Sequence, residues 1–327
     1  MRALTFDTSV KYRQYHPDPT PGPDDALIQV QLAGLCQTDL EIARGYMGFK
    51  GILGHEFVGT VLKSADTKLV GQRVVGEINC VCGHCDMCLG GLSAHCRNRS
   101  VLGISQRDGA FADLLVLPNR NLHVVPKNIS DEEAVFTEPL AAAVQILRQV
   151  KVEKRSRVTV LGDGRLGQLV VQVIRQAGVG GGTPVTLVGH HAGKLALAER
   201  LGGGGTVSVC LEKDLQPRHD QDLVVDCTGS AAGVLLALRL LRPRGTLVLK
   251  TTVAAGVPLN LSPLVIDEIT VVGSRCGPFR DALALLAQKQ VDVSGLISRR
   301  VKIDAAEELF TSPLGADTLK VLIRFDR

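Results

Sequence analysis

Val158-Thr159-Val160-Leu161-Gly162-Asp163-Gly164-Arg165-Leu166-Gly167 is the stretch that decides the fold. Its first four residues read as a short buried strand. The next six spell G-x-G-x-x-G. Residues 168–177 then carry Leu169, Val170, Val173 and Ile174 at helical spacing. A lone glycine triplet is weak, but a triplet between an apolar strand and a helix sits where a phosphate cradle requires it. Gly162 permits the tight turn, Gly164 lets backbone approach a pyrophosphate, and Gly167 lets helix and strand pack closely. The competing reading, a turn that binds nothing, is disfavoured by that context.

Outward from this turn, strands are expected at 185–188, 207–210, 223–227, 246–249 and 269–272, with helices at 194–201 and 232–241. Such alternation implies a doubly wound parallel sheet with helices on both faces. An acid at the end of the second strand would bond the ribose 2′-hydroxyl of NAD, and none is present there. The chain reads Val188-Gly189-His190-His191, with Lys194 three residues on. A small residue followed by potential cations favours a 2′-phosphate, hence NADP over NAD. The alternative is a solvated loop and an enzyme that takes either dinucleotide. Arg165, Leu166 and Thr228 complete the candidate cofactor-binding set with the three glycines of the turn.

The part of the chain up to about Pro139 has a different texture. Short strands are expected at 26–33, 57–62, 72–78, 114–118 and 121–126, heavily punctuated by Gly and Pro, so this part is mainly β. A helix at 141–150 leads into the alternating region. Helices at 281–287 and 305–310 and a strand at 319–325 close the chain and are expected to return to the first domain. The expected division is therefore 1–139 with 275–327, and 140–274.

Composition narrows the class. Hydrophobic residues make up 45% and charged residues 21%, which marks a globular chain, and 327 residues suit two domains. A net charge of +4 without a Lys/Arg block gives no support for a nucleic-acid partner. Aromatics are only 3%, with no Trp, so a base-stacking platform is poorly supplied. No apolar run reaches membrane-spanning length and the first residues lack a secretory pattern, so the expected location is the cytoplasm.

Cys82, Cys85, Cys88 and Cys96 form a C-x2-C-x2-C-x7-C run. In a chain expected in a reducing compartment, an even and tight set of thiols points to zinc rather than to disulfides. Four thiolates close the tetrahedral shell, so such a site is structural. Chemistry must be sought in quieter residues: Cys36-Gln37-Thr38-Asp39, Gly54-His55-Glu56 and Thr137-Glu138-Pro139. One thiolate, one imidazole and one carboxylate would leave a fourth zinc position open. Taken singly, each is an ordinary core or turn residue.

These motifs, followed by the glycine turn, occur in the order found in the zinc-dependent medium-chain alcohol dehydrogenases, and the chain resembles that family over essentially its whole length. Glu138, where classical alcohol dehydrogenases place a second cysteine, is similar to the polyol, sugar and threonine dehydrogenase branch. The resemblance implies an α/β fold made of a GroES-like mainly-β catalytic domain and a Rossmann cofactor domain. It implies two zinc ions per chain, with Cys36 and His55 as catalytic ligands and either Glu138 or Glu56 as the third. Asp39 would hold the His55 imidazole, Thr38 would relay the substrate proton, and Lys320 would meet the cofactor pyrophosphate. Cys82, Cys85, Cys88 and Cys96 would hold the structural ion.

The activity implied is reversible hydride transfer between a secondary alcohol, polyol or sugar and nicotinamide, by a homodimer or homotetramer. An NADPH-dependent aldehyde or ketone reductase of the same fold is the near alternative. A non-catalytic cofactor-binding or nucleic-acid-binding zinc protein is the remote one. Glu41 stands where many relatives place a histidine of the outer proton relay, so that part of the relay is not implied here.

Overall fold

The computed structural model describes residues 1–177, 181–202, 205–250 and 259–326. The chain divides into two compact units, Met1–Glu138 with Leu283–Gln288 and Leu296–Arg327, and Pro139–Ala282 with Lys289–Gly295. The return to the first unit is thus interleaved. It divides the helix Phe279–Ala287.

In the second unit six parallel strands lie in the order Val207–Leu211, Val185–Gly189, Val158–Leu161, Gln221–Asp226, Leu241–Leu249, Thr270–Gly273. In chain order this is 3-2-1-4-5-6, the doubly wound arrangement whose ligand crevice lies outside the carboxyl ends of the strands where the order reverses. Val158–Leu161 stands at that reversal and is buried along its length. Two-sided burial is why this strand reads as a continuous apolar run instead of alternating. The helix Arg165–Ile174 follows directly, with buried Leu169, Val170, Val173 and Ile174. It begins three residues earlier than expected, because backbone amides rather than apolar side chains define its first turn.

In the first unit the long strands Asp25–Gly34 and Glu56–Ser64 pair antiparallel at the centre of a seven-stranded sheet. The C-terminal strand Lys320–Arg324 pairs antiparallel with Asp25–Gly34, placing Leu322 opposite Gly34. Gly34 is also opposite Glu56 on the other side. Residues from both ends of the chain therefore converge on one glycine. Ile297–Lys302 forms the outer strand next to Lys320–Arg324, where no strand is expected from the sequence. Its ISRRVK sequence is largely exposed, as suits a charged sheet edge, so it lacks the apolar run that marks a core strand. A small sheet of Val10–Arg13, Ala3–Phe6 and Gly51–Ile52 was equally silent in the sequence.

Candidate catalytic metal centre and dinucleotide cradle

The first-unit cluster is assembled at strand ends. Leu35 follows Asp25–Gly34 and leads into Cys36, which caps the short helix Gln37–Ala43. Asp39, in that helix, is fully buried and accepts hydrogen bonds from the Cys36 backbone N–H at 2.8 Å and the Gly54 N–H at 3.2 Å. Its Oδ1 also lies 3.1 Å from His55 Nδ1. One carboxylate thus fixes both chain segments that carry candidate ligands, and orients the imidazole as a supporting carboxylate does for a metal-binding histidine. Gly54 has φ +94, and a Cβ there would lie 2.4 Å from the Phe111 ring, so both conformation and space demand glycine before His55.

Cys36, His55 and Glu56 offer ligand atoms that all lie within 4.8 Å of one another. Glu138, half-buried in the first turn of the helix Thr137–Gln149, is outside that set. Between the two glutamates left open by the sequence, the structure brings in Glu56. The residue is buried, its Oε2 faces the Lys320 ammonium, and its Oε1 has no hydrogen-bond partner among the described residues. A buried carboxylate with a spare oxygen beside a thiol and an imidazole is a donor set suited to zinc. The Cys36 thiol donates to the Thr38 hydroxyl at 3.7 Å, so Thr38 borders the same cluster. Burial draws the His55 pKa down, but the charges and hydrogen bonds of Asp39 and Cys36 outweigh it and hold the imidazole well above its usual value.

Lys320, which the resemblance assigns to the cofactor pyrophosphate, lies in the closing strand of the first unit. It is fully buried, its ammonium forms an ion pair with Glu56, and it lies 5.6 Å from the centroid of the Phe136 ring. It also donates to the Leu35 carbonyl at 3.4 Å. An amine enclosed in this way faces a carboxylate of the same unit. Burial pushes its pKa down to about 8 against the charges of Cys36 and Asp39, which raise it. Gly34 makes room for the pair: a Cβ there would lie 2.6 Å from Glu56 Oε2 and 2.7 Å from Lys320 Cε.

The four clustered cysteines gather as their spacing suggests, with ligand atoms mutually within 4.8 Å. Sulfur pairs Cys96–Cys82, Cys85–Cys88 and Cys85–Cys96 lie at 3.5, 3.6 and 3.8 Å. None of the nine cysteines is in a disulfide, so no such bond competes for these sulfurs. The His84 backbone N–H lowers the Cys82 thiol to about 6, and that of Arg97 lowers Cys85. Desolvation pushes Cys88 up to about 12. Thiols with backbone amides aimed at them are prepared to ionise, and thiolates are the form that binds metal.

In the second unit Gly162 has φ +104. A Cβ on Gly167 would lie 1.9 Å from the Gly162 carbonyl oxygen, whereas one on Gly164 would meet nothing within 4 Å. The turn is therefore tight behind and open in front, the form of a cradle for a diphosphate at the start of Arg165–Ile174. Arg165 and Leu166 open that helix and are half-buried. Thr228 donates its hydroxyl to Asp226 at 2.7 Å and accepts from the Ser230 N–H at 3.2 Å, so it shapes the turn after the fourth strand.

Gly189, His190 and His191 lie at the end of the second strand as expected, but not as a bare cationic loop. His190 Nε2 is 3.3 Å from Glu212, His191 Nδ1 is 3.1 Å from Asp163, and Lys194 is buried. Asp163 was passed over in the sequence as the variable residue of the glycine turn. The missed signal was a glycine at position 189 opposite an acid at position 163.

A paired thiolate–imidazole–carboxylate cluster and a separate Rossmann unit with an open glycine cradle define a metal-dependent, dinucleotide-linked oxidoreductase. Two family models match the chain: an alcohol dehydrogenase GroES-like domain over residues 22–127 and a zinc-binding dehydrogenase over residues 166–288. An L-threonine 3-dehydrogenase of Chelativorans sp. is 31% identical, over 94% of this chain and 93% of its own. A sorbitol dehydrogenase of Halalkalibacterium halodurans is 28% identical, over 95% and 94%. A putative zinc-binding dehydrogenase of Sinorhizobium meliloti, solved with NADP, superposes with a TM-score of 0.89 at 29% identity, over 99% of this chain and 98% of that one. The chain belongs to the zinc-dependent medium-chain alcohol dehydrogenase family and is an oxidoreductase acting on CH–OH groups.

Proposed function

We propose that the chain oxidises a secondary alcohol of the polyol or sugar type, reversibly, with Cys36, His55 and Glu56 holding a catalytic zinc and Cys82, Cys85, Cys88 and Cys96 holding a structural one. The observation that carries this reading is the Cys36–His55–Glu56 cluster, in which the buried Glu56 keeps its Oε1 without a hydrogen-bond partner while its Oε2 faces Lys320. A zinc ion held there would supply a Lewis acid, and a nicotinamide in the other unit's cradle would supply the hydride acceptor. The residues of the chain prepare the ground for both. Asp39 fixes the His55 tautomer and ties it to the Cys36 backbone. Thr38 Oγ1, next to the Cys36 sulfur, takes the substrate proton outward.

Lys320 holds Glu56 as an ion pair, leaving Glu138 as an alternative ligand should Glu56 stay with its ammonium. The glycine turn aligns the dinucleotide. The absent acid at Gly189 and the NADP of the Sinorhizobium relative support NADP, whereas the pairing of both histidines with carboxylates supports NAD. The sorbitol and threonine dehydrogenase relatives support a polyhydroxylated or secondary-alcohol substrate.

Metal analysis is expected to find two zinc ions per chain, one for each cluster. A panel of polyols, sugars, secondary and primary alcohols and aldehydes, assayed in both directions, is expected to show the highest kcat/KM for a polyol or secondary alcohol. Preference for aldehyde reduction at every cofactor ratio would select the reductase alternative.

Self-association through the second unit is also proposed. Thr270–Gly273 is the outer strand of its sheet, and Leu261, Val265, Ile266 and Val271 near it are exposed. An open edge beside exposed apolar side chains favours strand addition by a second copy. Light scattering is expected to give a dimer or tetramer mass, and Val271→Lys is expected to lower it. A monomer at assay concentration would remove the proposal.

No helix among the described residues is long and apolar enough to cross a membrane.

A further inference from the structure

We propose that Asp163, the residue between the first two glycines of the turn, is the acid that reads the adenosine ribose, and that it selects NAD over NADP. The inference rests on the dinucleotide-linked dehydrogenase reading above and concerns which dinucleotide that unit takes. In a sheet of this order the adenosine ribose lies between the glycine turn after the first strand and the carboxyl end of the second. The second strand, Val185–Gly189, ends on a residue without a side chain. Asp163 fills the place that a side chain would occupy. A Cβ built on Gly189 would lie 2.4 Å from both Cβ and Oδ2 of Asp163, so an acid at position 163 and any side chain at position 189 exclude each other. The carboxylate has moved to the facing loop, and the glycine is its counterpart.

Hydrogen bonding gives this carboxylate a second effect. Asp163 Oδ2 accepts from the His190 backbone N–H at 2.8 Å and from that of His191 at 2.7 Å, and His191 Nδ1 lies 3.1 Å from the same oxygen. Backbone N–H groups just past the second strand are the neutral donors that a 2′-phosphate would use, and both are engaged here by an anion of the protein itself. His190, the remaining candidate cation, faces Glu212 at 3.3 Å. A 2′-phosphate brought to this corner meets a carboxylate with its donors already taken and like charge in front of it. A 2′-hydroxyl meets the opposite. Asp163 Oδ1 has a single partner, His191 Nδ1 at 3.2 Å, and retains acceptor capacity for a hydroxyl donor. Asp163 is 6% exposed, so the carboxylate is held in place and needs little reorganisation to act. The expectation of NADP from Gly189-His190-His191 is thereby reversed: both histidines are matched by acids from other loops.

The test uses the adenosine halves of the cofactors, ADP-ribose and 2′-phospho-ADP-ribose, titrated by calorimetry into the full chain, with NADH and NADPH fluorescence in parallel. Neither measurement depends on turnover or on the zinc. Wild type is expected to bind ADP-ribose at least about tenfold more tightly than the 2′-phosphorylated form. Asp163→Asn, which keeps the shape and one acceptor oxygen, is expected to narrow that ratio by about tenfold or more, chiefly through tighter binding of the phosphorylated ligand.

A wild-type protein that binds the 2′-phosphorylated ligand equally well or better overturns the proposal without any variant. So does a folded Asp163→Asn protein with an unchanged ratio, and either result leaves the dehydrogenase reading intact. Binding of neither ligand to the folded chain overturns both.

Discussion

Replacing Cys36 with alanine is expected to lower turnover by about a thousandfold or more, since a catalytic metal supplies several kcal/mol of transition-state stabilisation and each factor of ten is about 1.4 kcal/mol. The loss should come with a fall from two zinc ions to one per chain, because only one of the two donor sets is touched. Fold and dinucleotide binding should persist. Cys36 is half-buried, its backbone N–H stays bonded to Asp39, and the glycine turn belongs to the other unit. Metal content, melting temperature and NADH fluorescence on one preparation separate these outcomes. Normal turnover by a protein holding a single zinc would remove Cys36 from the site.

Cys96→Ser should behave in the opposite way. Cys96 is the buried member of the four-cysteine set, lies 3.5 Å from the Cys82 sulfur and 3.8 Å from that of Cys85, and accepts the Cys82 N–H at 3.3 Å. The segment around it has little regular structure, only the short helix Asp86–Leu89 and one 3₁₀ turn, and Leu89 and Leu92 are exposed. With almost no apolar core of its own, such a lobe depends on its metal, as small zinc modules do. The variant is expected to lose one zinc and about 5–10 °C of melting temperature, with much lower soluble yield. Turnover per remaining catalytic zinc should stay close to that of the parent. A protein as stable as the parent but inactive would overturn the division into a structural and a catalytic ion.

The two clusters were unequally legible. The cysteine run is local: four identical residues within fifteen positions announce a shared ligand, and short loops can bring them together in almost any fold. The proposed catalytic set is spread over Cys36, His55 and a glutamate, and each of these residues is commonplace alone. Family resemblance supplied the first two, but it left Glu56 and Glu138 open. The choice depends on the pairing of Asp25–Gly34 with Glu56–Ser64, which directs Glu56 inward opposite Gly34. No periodicity in either segment contains that register.

Lys320 shows a related limit. A basic residue in the closing strand says nothing of its neighbours, and only the pairing of that strand beside Asp25–Gly34 sets the amine against Glu56. Removing one member of such a buried pair typically costs about 3–5 kcal/mol because the other charge is left stranded. Its position is therefore a property of the assembled sheet and not of the strand.

The sequence by itself determined the elements whose signal is local: the strand–glycine turn–helix of the dinucleotide unit, the alternation that makes its sheet parallel, the four-cysteine lobe, and Cys36 with His55 as metal candidates. Only the tertiary structure decided which glutamate lies beside them, where the Lys320 ammonium lies, and that Asp163 occupies the space left by Gly189. Spacing along the chain specifies what a segment can form with its own neighbours. Which carboxylate meets which cation or amide is fixed when distant strands and loops close on one another, and burial then makes each such pairing too costly to exchange.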